Sequence, residues 1–119
     1  MTTYLTTEDL LILVEELGGP RVRDHGLLDS AAHRPAARAF GEDAYPDLDT
    51  KAAVLLESIA RNRPLAEGNK RLAWLAVVVF YGMNGQDMHA AHDPAYDLVV
   101  GVADGLLLYP EVAAQLAGW

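Results

Sequence analysis

The fold is decided by one stretch of sequence, NKRLAWLAVVVFYGM, which spans residues 69–83. Drawn as a helix, this stretch is apolar on nearly every side, and such a helix is packed against several neighbours. Asn84 and Gly85 follow it and are typical of a helix end. The apolar part, residues 72–83, is too short to cross a bilayer. The stretch therefore predicts a central helix buried inside a folded domain.

Other helices are indicated by apolar faces with recognisable ends. Thr6 and Asp9 form a capping-box pattern at the first, and Asp93 is predicted to cap the fifth, with Pro94 at its first position. Five further helices are expected, with approximate bounds of Thr6 to Leu17, Gly26 to Arg34, Asp49 to Asn62, Asp93 to Gly105, and Pro110 to Leu116. The segment from Phe40 to Leu48 is expected to be an exposed connection. No useful run of alternating residues favours a sheet, and no linker divides the chain. We predict a compact all-α bundle of about six helices, one domain over residues 1–119.

Composition limits the classes of function. The 119 residues are 51% apolar, enough for a single packed core. Nine Lys and Arg against seventeen Asp and Glu give a formal charge of −8, which argues against non-specific binding to nucleic acid or to an anionic membrane. Cysteine is absent, which excludes disulfides and thiol chemistry. The first ten residues do not resemble a signal peptide, so a cytoplasmic protein is expected.

The basic residues are concentrated in one place. Residues 61–71 contain Arg61, Arg63, Lys70 and Arg71 against Glu67 alone, a local charge of +3. Charged loops between helices are usually solvated, and a site for a polyanion is the alternative. Charge alone does not decide between the two.

The residue order of this loop favours the polyanion. Gly68 and Asn69 tolerate unusual backbone dihedrals where the chain enters the central helix. Free N–H groups at that helix start, together with the helix dipole, attract anions. Lys70 and Arg71 add charge, and the Glu67 carboxylate is a hard oxygen ligand suited to Mg²⁺ bound to phosphates. Together these features predict a site for nucleotide phosphates.

The loop, Glu67-Gly68-Asn69-Lys70-Arg71 behind Arg61-Asn62-x-Pro64, resembles the signature H-x-F-x-[D/E]-[G/A]-N-[G/K]-R of the Fic/Doc (Fido) family, in its death-on-curing branch. Residues 4–19, 21–31 and 40–46 are similar to that branch as well, so the resemblance covers nearly the whole chain. A second Arg, found three places further on in AMP-transferring members, is Trp74 here, which favours the Doc branch.

The resemblance implies an all-helical enzyme that uses a nucleoside triphosphate, ATP with Mg²⁺, to modify a hydroxyl of another protein. Doc toxins are protein kinases that phosphorylate a threonine of elongation factor Tu. In that family the residue matching Glu67 holds Mg²⁺, the residue matching Asn69 lines the anion nest with its neighbours, and those matching Lys70 and Arg71 contact phosphates. A target-docking flap matches Phe40, Gly41, Ala44, Tyr45 and Pro46. No inhibitory helix of the family type is found, so the resemblance implies a type II toxin–antitoxin system whose Phd-like antitoxin is a separate chain.

Two positions depart from the family pattern. Leu65 replaces the Phe, a modest change, and Arg63 replaces the His that takes the proton from the attacking hydroxyl. Arg stays protonated and cannot accept that proton. Loss of a general base typically costs about 10²- to 10⁴-fold in rate. Three interpretations stay open: a weak or altered transferase, an inactive homologue that binds a nucleotide or antitoxin, and an engineered or selected substitution in an otherwise toxic protein.

The histidines offer weaker candidates. His89 and His92 have a spacing that could bind a metal, but they are expected in a loop and are more simply explained as solvated. His25 could serve as a substitute base, although a surface position is the simpler interpretation. Trp74 on the central helix is expected to belong to the core.

Overall fold

Two helices, α3 (Leu48–Asn62) and α4 (Asn69–Met83), pack together at the centre of the computed structural model, which describes residues 1–119. Around them lie α1 (Thr7–Glu16), α2 (His25–His33), α5 (His92–Ala103) and α6 (Tyr109–Ala117), with a short 3-10 turn over Arg34–Ala36. The predicted all-α bundle with a central buried helix is confirmed.

Burial is divided unequally between the two central helices. α4 has the predicted bounds, and its buried residues, from Leu72 to Tyr81, repeat along one side of the helix. The strip formed by Trp74, Leu75 and Val78 is only half-buried. α3 is more completely enclosed, with nine of its fifteen residues buried and contacts to α2, α4, α5 and α6. The open strip of α4 therefore faces a groove rather than the core.

The helix starts test the capping predictions. At α1 the capping box is confirmed, because the Thr6 hydroxyl accepts from the Asp9 N–H at 3.0 Å and the Asp9 carboxylate accepts from the Thr6 N–H at 2.9 Å. At α5 the predicted cap is wrong. The helix begins at His92, and Ala91 stands at the cap position without a side-chain hydrogen bond. The Asp93 carboxylate instead lies 3.0 Å from Nδ1 of His92.

The segment predicted as an exposed connection contains a short hairpin. Strand β1 (Arg38–Ala39) pairs antiparallel with β2 (Glu42–Asp43), and Arg38 stands opposite Asp43. The turn between them has positive φ at both residues, 53° at Phe40 and 81° at Gly41. Such a turn matches the twist of paired strands. Each strand has only two residues, which is why no alternation appears in the sequence.

A buried cation ties the hairpin to the core. The Lys51 side chain is 1% exposed, and its Nζ lies 3.2 Å from the Asp43 carboxylate and 3.4 Å from the Pro35 carbonyl oxygen. The same ammonium lies 5.5 Å from the centre of the Tyr4 ring. Burial of a charge is tolerated when it is paired and hydrogen-bonded. Lys51 therefore fixes the root of the hairpin on α3.

A second polar contact joins the two central helices. The Tyr81 hydroxyl on α4 donates to the Asp49 carboxylate on α3 at 2.6 Å. Burial is the main cause that raises the pKa of Tyr81 far above its usual range, and the nearby Asp49 carboxylate raises it further. The phenol therefore stays protonated and can donate this hydrogen bond. None of the helices has the length and apolarity needed to span a membrane.

We expect Asp43→Asn to destabilise the protein by about 2 kcal/mol, because it removes the only carboxylate that pairs with the buried Lys51. The expected loss of stability is smaller than for a fully buried ion pair because Asp43 is itself partly exposed. Urea denaturation at neutral pH measures the change. Glu42→Gln is the matched control, since Glu42 is the adjacent exposed carboxylate and forms no ion pair. Equal free energies of unfolding for the two variants would contradict the expectation.

Candidate functional site

The predicted site loop begins where α3 ends. Arg63 is the C-cap of α3 and has left-handed backbone dihedrals, φ 52° and ψ 65°, while its N–H still donates to the Ile59 carbonyl at 3.2 Å. Pro64 follows and cannot continue the helix. Pro64 and Leu65 are buried, so the loop is anchored at this end by apolar packing.

A neighbouring segment, residues 21–24, holds the loop in place through the backbone. Val22 and Leu65 form an isolated antiparallel bridge. The Ala66 N–H donates to the Arg21 carbonyl at 2.8 Å, and the N–H groups of Arg23 and Asp24 donate to the Pro64 carbonyl at 2.7 and 3.0 Å. We call residues 21–24 the brace. The brace supplies partners to the polar backbone groups of the loop, which would otherwise be unpaired.

Asn69 fixes the other end of the loop with its side chain. Its Oδ1 accepts from the Leu65 N–H at 2.8 Å, and its Nδ2 donates to the Leu65 carbonyl at 3.0 Å. Both halves of the amide are therefore engaged within the protein. Asn69 shapes the loop with its side chain, and its backbone N–H has no partner within the protein.

Unpaired N–H groups collect at the start of α4. Gly68 is the N-cap residue, with φ 81°, and no side chain caps the helix. The N–H groups of Gly68, Asn69, Lys70 and Arg71 donate to no atom of the protein, and the first hydrogen bond of the helix runs from Leu72 to the Gly68 carbonyl at 2.9 Å. These donors lie at the positive end of the helix dipole.

Gly68 suits the positive φ of this position, and a side chain here would also crowd Arg71. A Cβ built on Gly68 would lie 3.2 Å from Nη2 of Arg71, so the guanidinium lies directly over the glycine. A side chain at this position would be strained and would also displace the guanidinium.

The predicted phosphate-binding residues surround one cavity of about 360 Å³. Its lining consists of the loop and the start of α4, with one residue each from α3 and α5: Ala60, Arg63, Ala66, Glu67, Gly68, Asn69, Lys70, Arg71 and Ala103. The structure thus brings together Arg63, Glu67 and residues 68–71. The three cationic side chains and the single carboxylate form no ion pair within the protein. The site therefore has a net charge of +2 in a chain whose overall charge is −8.

Glu67 is the one side chain at this cavity suited to a hard metal ion. No group of three or more His, Asp or Glu side chains gathers anywhere in the structure to hold a metal by itself. This donor set fits Mg²⁺ only when phosphate oxygens complete its coordination. His89 and His92 belong to no such group. His25 is exposed at the start of α2 and does not line the cavity.

The predicted flap is divided between an exposed tip and an anchored root. Phe40 at the hairpin tip is fully exposed, and Ala44 and Pro46 are exposed too. Tyr45 is half-buried, with its ring 5.5 Å from that of Tyr109 in an edge-to-face arrangement. None of the flap residues lines the cavity, so the hairpin could contact a target only outside it.

A second, apolar cavity of about 610 Å³ lies between α4 and α5, and the sequence did not predict it. We call it the groove. Nine of its twelve lining residues are apolar: Leu17, Lys70, Arg71, Trp74, Leu75, Val78, Ala90, His92, Ala95, Tyr96, Val99 and Val100. Lys70 and Arg71 belong to both cavities, so the two share a wall. Trp74, expected in the core, packs against the core and also lines the groove. The apolar residues on the outer side of α4 were the sequence signal for this groove.

Comparison with known proteins gives two matches. A model of the Fic/DOC family matches residues 4–81, a range that includes the brace, the hairpin and the whole loop. The chain is also 47% identical to Toxin Doc of Mycolicibacterium smegmatis (strain ATCC 700084 / mc(2)155) over 123 residues, which cover 100% of this chain and 95% of that protein.

We expect Gly68→Ala to lower the stability by about 1 kcal/mol, through strain at positive φ, and also to weaken binding of inorganic tripolyphosphate, because Arg71 is displaced. Thermal denaturation and isothermal titration calorimetry measure the two effects. Gly85→Ala is the matched control, since Gly85 has φ 80° at the other end of α4 and nothing near its Cβ position. It should lose similar stability and bind tripolyphosphate unchanged. Equal loss of binding in both variants would show that Gly68 has no local role.

Proposed function

Because the chain belongs to the Fic/DOC family, we propose that it is a Doc-like toxin of a type II toxin–antitoxin system. It would act in the cytoplasm and transfer a phosphoryl or nucleotidyl group from ATP to a hydroxyl of a target protein. The observation that supports this proposal is the cavity where four unpaired N–H groups and three unpaired cationic side chains converge.

Each part of the cavity has a role in this proposal. The N–H groups of residues 68–71 bind phosphate oxygens, and Lys70 and Arg71 neutralise their charge. Glu67 would hold Mg²⁺, which when bound neutralises charge on the phosphates. Asn69 and the brace keep the loop from rearranging, so the donors are in place before the ligand binds.

Arg63 occupies the position of the family histidine and cannot take the proton from the hydroxyl. It lines the cavity as a cation, so it would stabilise the charge that develops on the transferred group. Phosphoryl transfer through a loose transition state depends mostly on positioning and electrostatic stabilisation. A slow transferase is the activity that this arrangement supports.

The alternative is a catalytically impaired homologue that binds a nucleotide or an antitoxin without transferring a group. One observation favours it: among the side chains that line the cavity, only the Glu67 carboxylate can accept a proton, and its proposed role is to hold Mg²⁺. The Arg63→His variant separates the two functions.

We also propose the partners that the family suggests. The target is a translation factor such as elongation factor Tu, contacted by the exposed tip of the hairpin at Phe40 and Gly41. The occupant of the groove is a segment of a Phd-like antitoxin. The shared wall supports this assignment, because a segment bound on Trp74 and Val78 would reach Lys70 and Arg71 at the phosphate site.

For the transfer reaction, we expect Arg63→His to raise the rate of label incorporation by about 10²- to 10⁴-fold, because it restores a general base. The assay incubates the protein with elongation factor Tu and ATP labelled at either the α or the γ phosphate. Label from the γ position alone identifies phosphoryl transfer. Arg63→Gln, which removes the charge without adding a base, should show no such gain. Absence of label with both the parent chain and Arg63→His would contradict transfer to this target.

For the groove, we expect Tyr96→Ala to weaken antitoxin binding tenfold or more, since aromatic side chains contribute heavily to interfaces, and tenfold is about 1.4 kcal/mol. Titration calorimetry with a Phd-like antitoxin measures the affinity. Ile12→Ala is the control, because Ile12 is 59% exposed, like Tyr96, but lies on α1 outside the groove. Equal affinities for the two variants would place the antitoxin elsewhere.

A further inference from the structure

Arg23, an arginine of the brace, holds the end of α3 from outside both cavities. Its Nε and Nη2 donate to the Arg63 carbonyl oxygen at 2.9 and 2.6 Å, and Nη2 also donates to the Asn62 carbonyl oxygen at 3.0 Å. Its side chain lines neither the phosphate cavity nor the groove. The forked guanidinium therefore acts on the backbone of residues 62 and 63 rather than on a ligand.

The conformation of residue 63 is one that its own sequence does not favour. Pro64 disfavours a right-handed helical conformation for the residue before it and makes an extended one the default. The left-handed conformation observed at Arg63 costs a side-chain-bearing residue free energy, because its Cβ crowds the backbone. Such a residue persists only when its surroundings determine it.

Arg23 supplies that determinant. The direction of a carbonyl group follows from the ψ angle of its residue. Two N–H groups of the planar Arg23 guanidinium donate to the carbonyl oxygen of Arg63 and so fix its direction. An extended residue 63 would turn this carbonyl away from Arg23. The Arg63 side chain lines the cavity in the left-handed conformation, so its placement depends on the same two bonds.

We propose that Arg23 is a positioning residue, which selects the left-handed conformation of Arg63 and thereby places that side chain at the phosphate site. The role of Arg63 toward the phosphates rests on the proposed function. The hydrogen bonds of Arg23 to the backbone of residues 62 and 63 are independent of the proposed function.

The first test is a double-mutant cycle on ATP affinity, measured by titration calorimetry. Arg23→Lys retains the charge and loses the fork, so we expect it to weaken ATP binding about fivefold in the parent chain. In an Arg63→Ala background the same change should have no effect, because the side chain that Arg23 positions is gone. Arg21→Lys is the control, since Arg21 also belongs to the brace but contacts the loop only through its backbone carbonyl, and its side chain makes no hydrogen bond. An equal loss in both backgrounds, or no loss in the parent, would overturn the proposal.

The second test needs no nucleotide and so separates this proposal from the proposed function. Glycine adopts positive φ without a Cβ penalty, so Arg63→Gly should raise the Tm of the parent chain by about 3 °C. In the Arg23→Lys background residue 63 is free to leave that conformation, and the rise should vanish. Equal effects of Arg63→Gly in the two backgrounds would overturn the positioning role. Failure of the parent chain to bind ATP would count against the nucleotide site while this second cycle still decides the role of Arg23.

Discussion

The polar backbone groups of residues 62–66 lie where regular helical hydrogen bonding ends, so most of them need other partners, and the site depends on which partners they find. Their partners are the brace on one side and the Asn69 side chain on the other. These contacts hold the loop in place, and the N–H groups of residues 68–71 are left without a protein partner in residues that line a cavity. The apolar packing of α3 against α4 then sets the distance between the two ends of the loop.

Much of this could be predicted from the sequence, because it follows from local chemistry. The bounds of α4 and the capping box of α1 depend on residues within a few positions of one another. The motif residues that line one cavity are nearly consecutive, so their meeting needed only a turn at Gly68. The family was identifiable from the same few residues, and the comparisons agree with it.

The features that the sequence did not predict depend on distant contacts or on conformations with weak local signals. The hairpin depends on positive φ at Phe40, a residue that rarely adopts it, and on the pairing of Asp43 with a buried lysine. The sequence predicts Asp93 as the cap of α5 and Pro94 as its first residue, but the cap is Ala91 and the helix begins at His92, two positions earlier. The groove exists because α5 covers only part of the apolar side of α4. The distance between these two helices cannot be predicted from a pattern in a single sequence. The role of Arg23 has no local signal in the sequence, because its partners are the carbonyls of Asn62 and Arg63, about forty positions away.

Because Lys70 and Arg71 line both cavities, ligands bound in the two cavities would be thermodynamically linked through these side chains. An occupant of the groove that pairs with either cation changes the electrostatic potential felt by an anion on the other side of the wall. Reciprocity then requires the anion to change the affinity of the groove occupant by the same factor. Under the proposed function, in which the anion is a nucleotide and the occupant of the groove an antitoxin, the fraction of the protein in complex would depend on the nucleotide concentration.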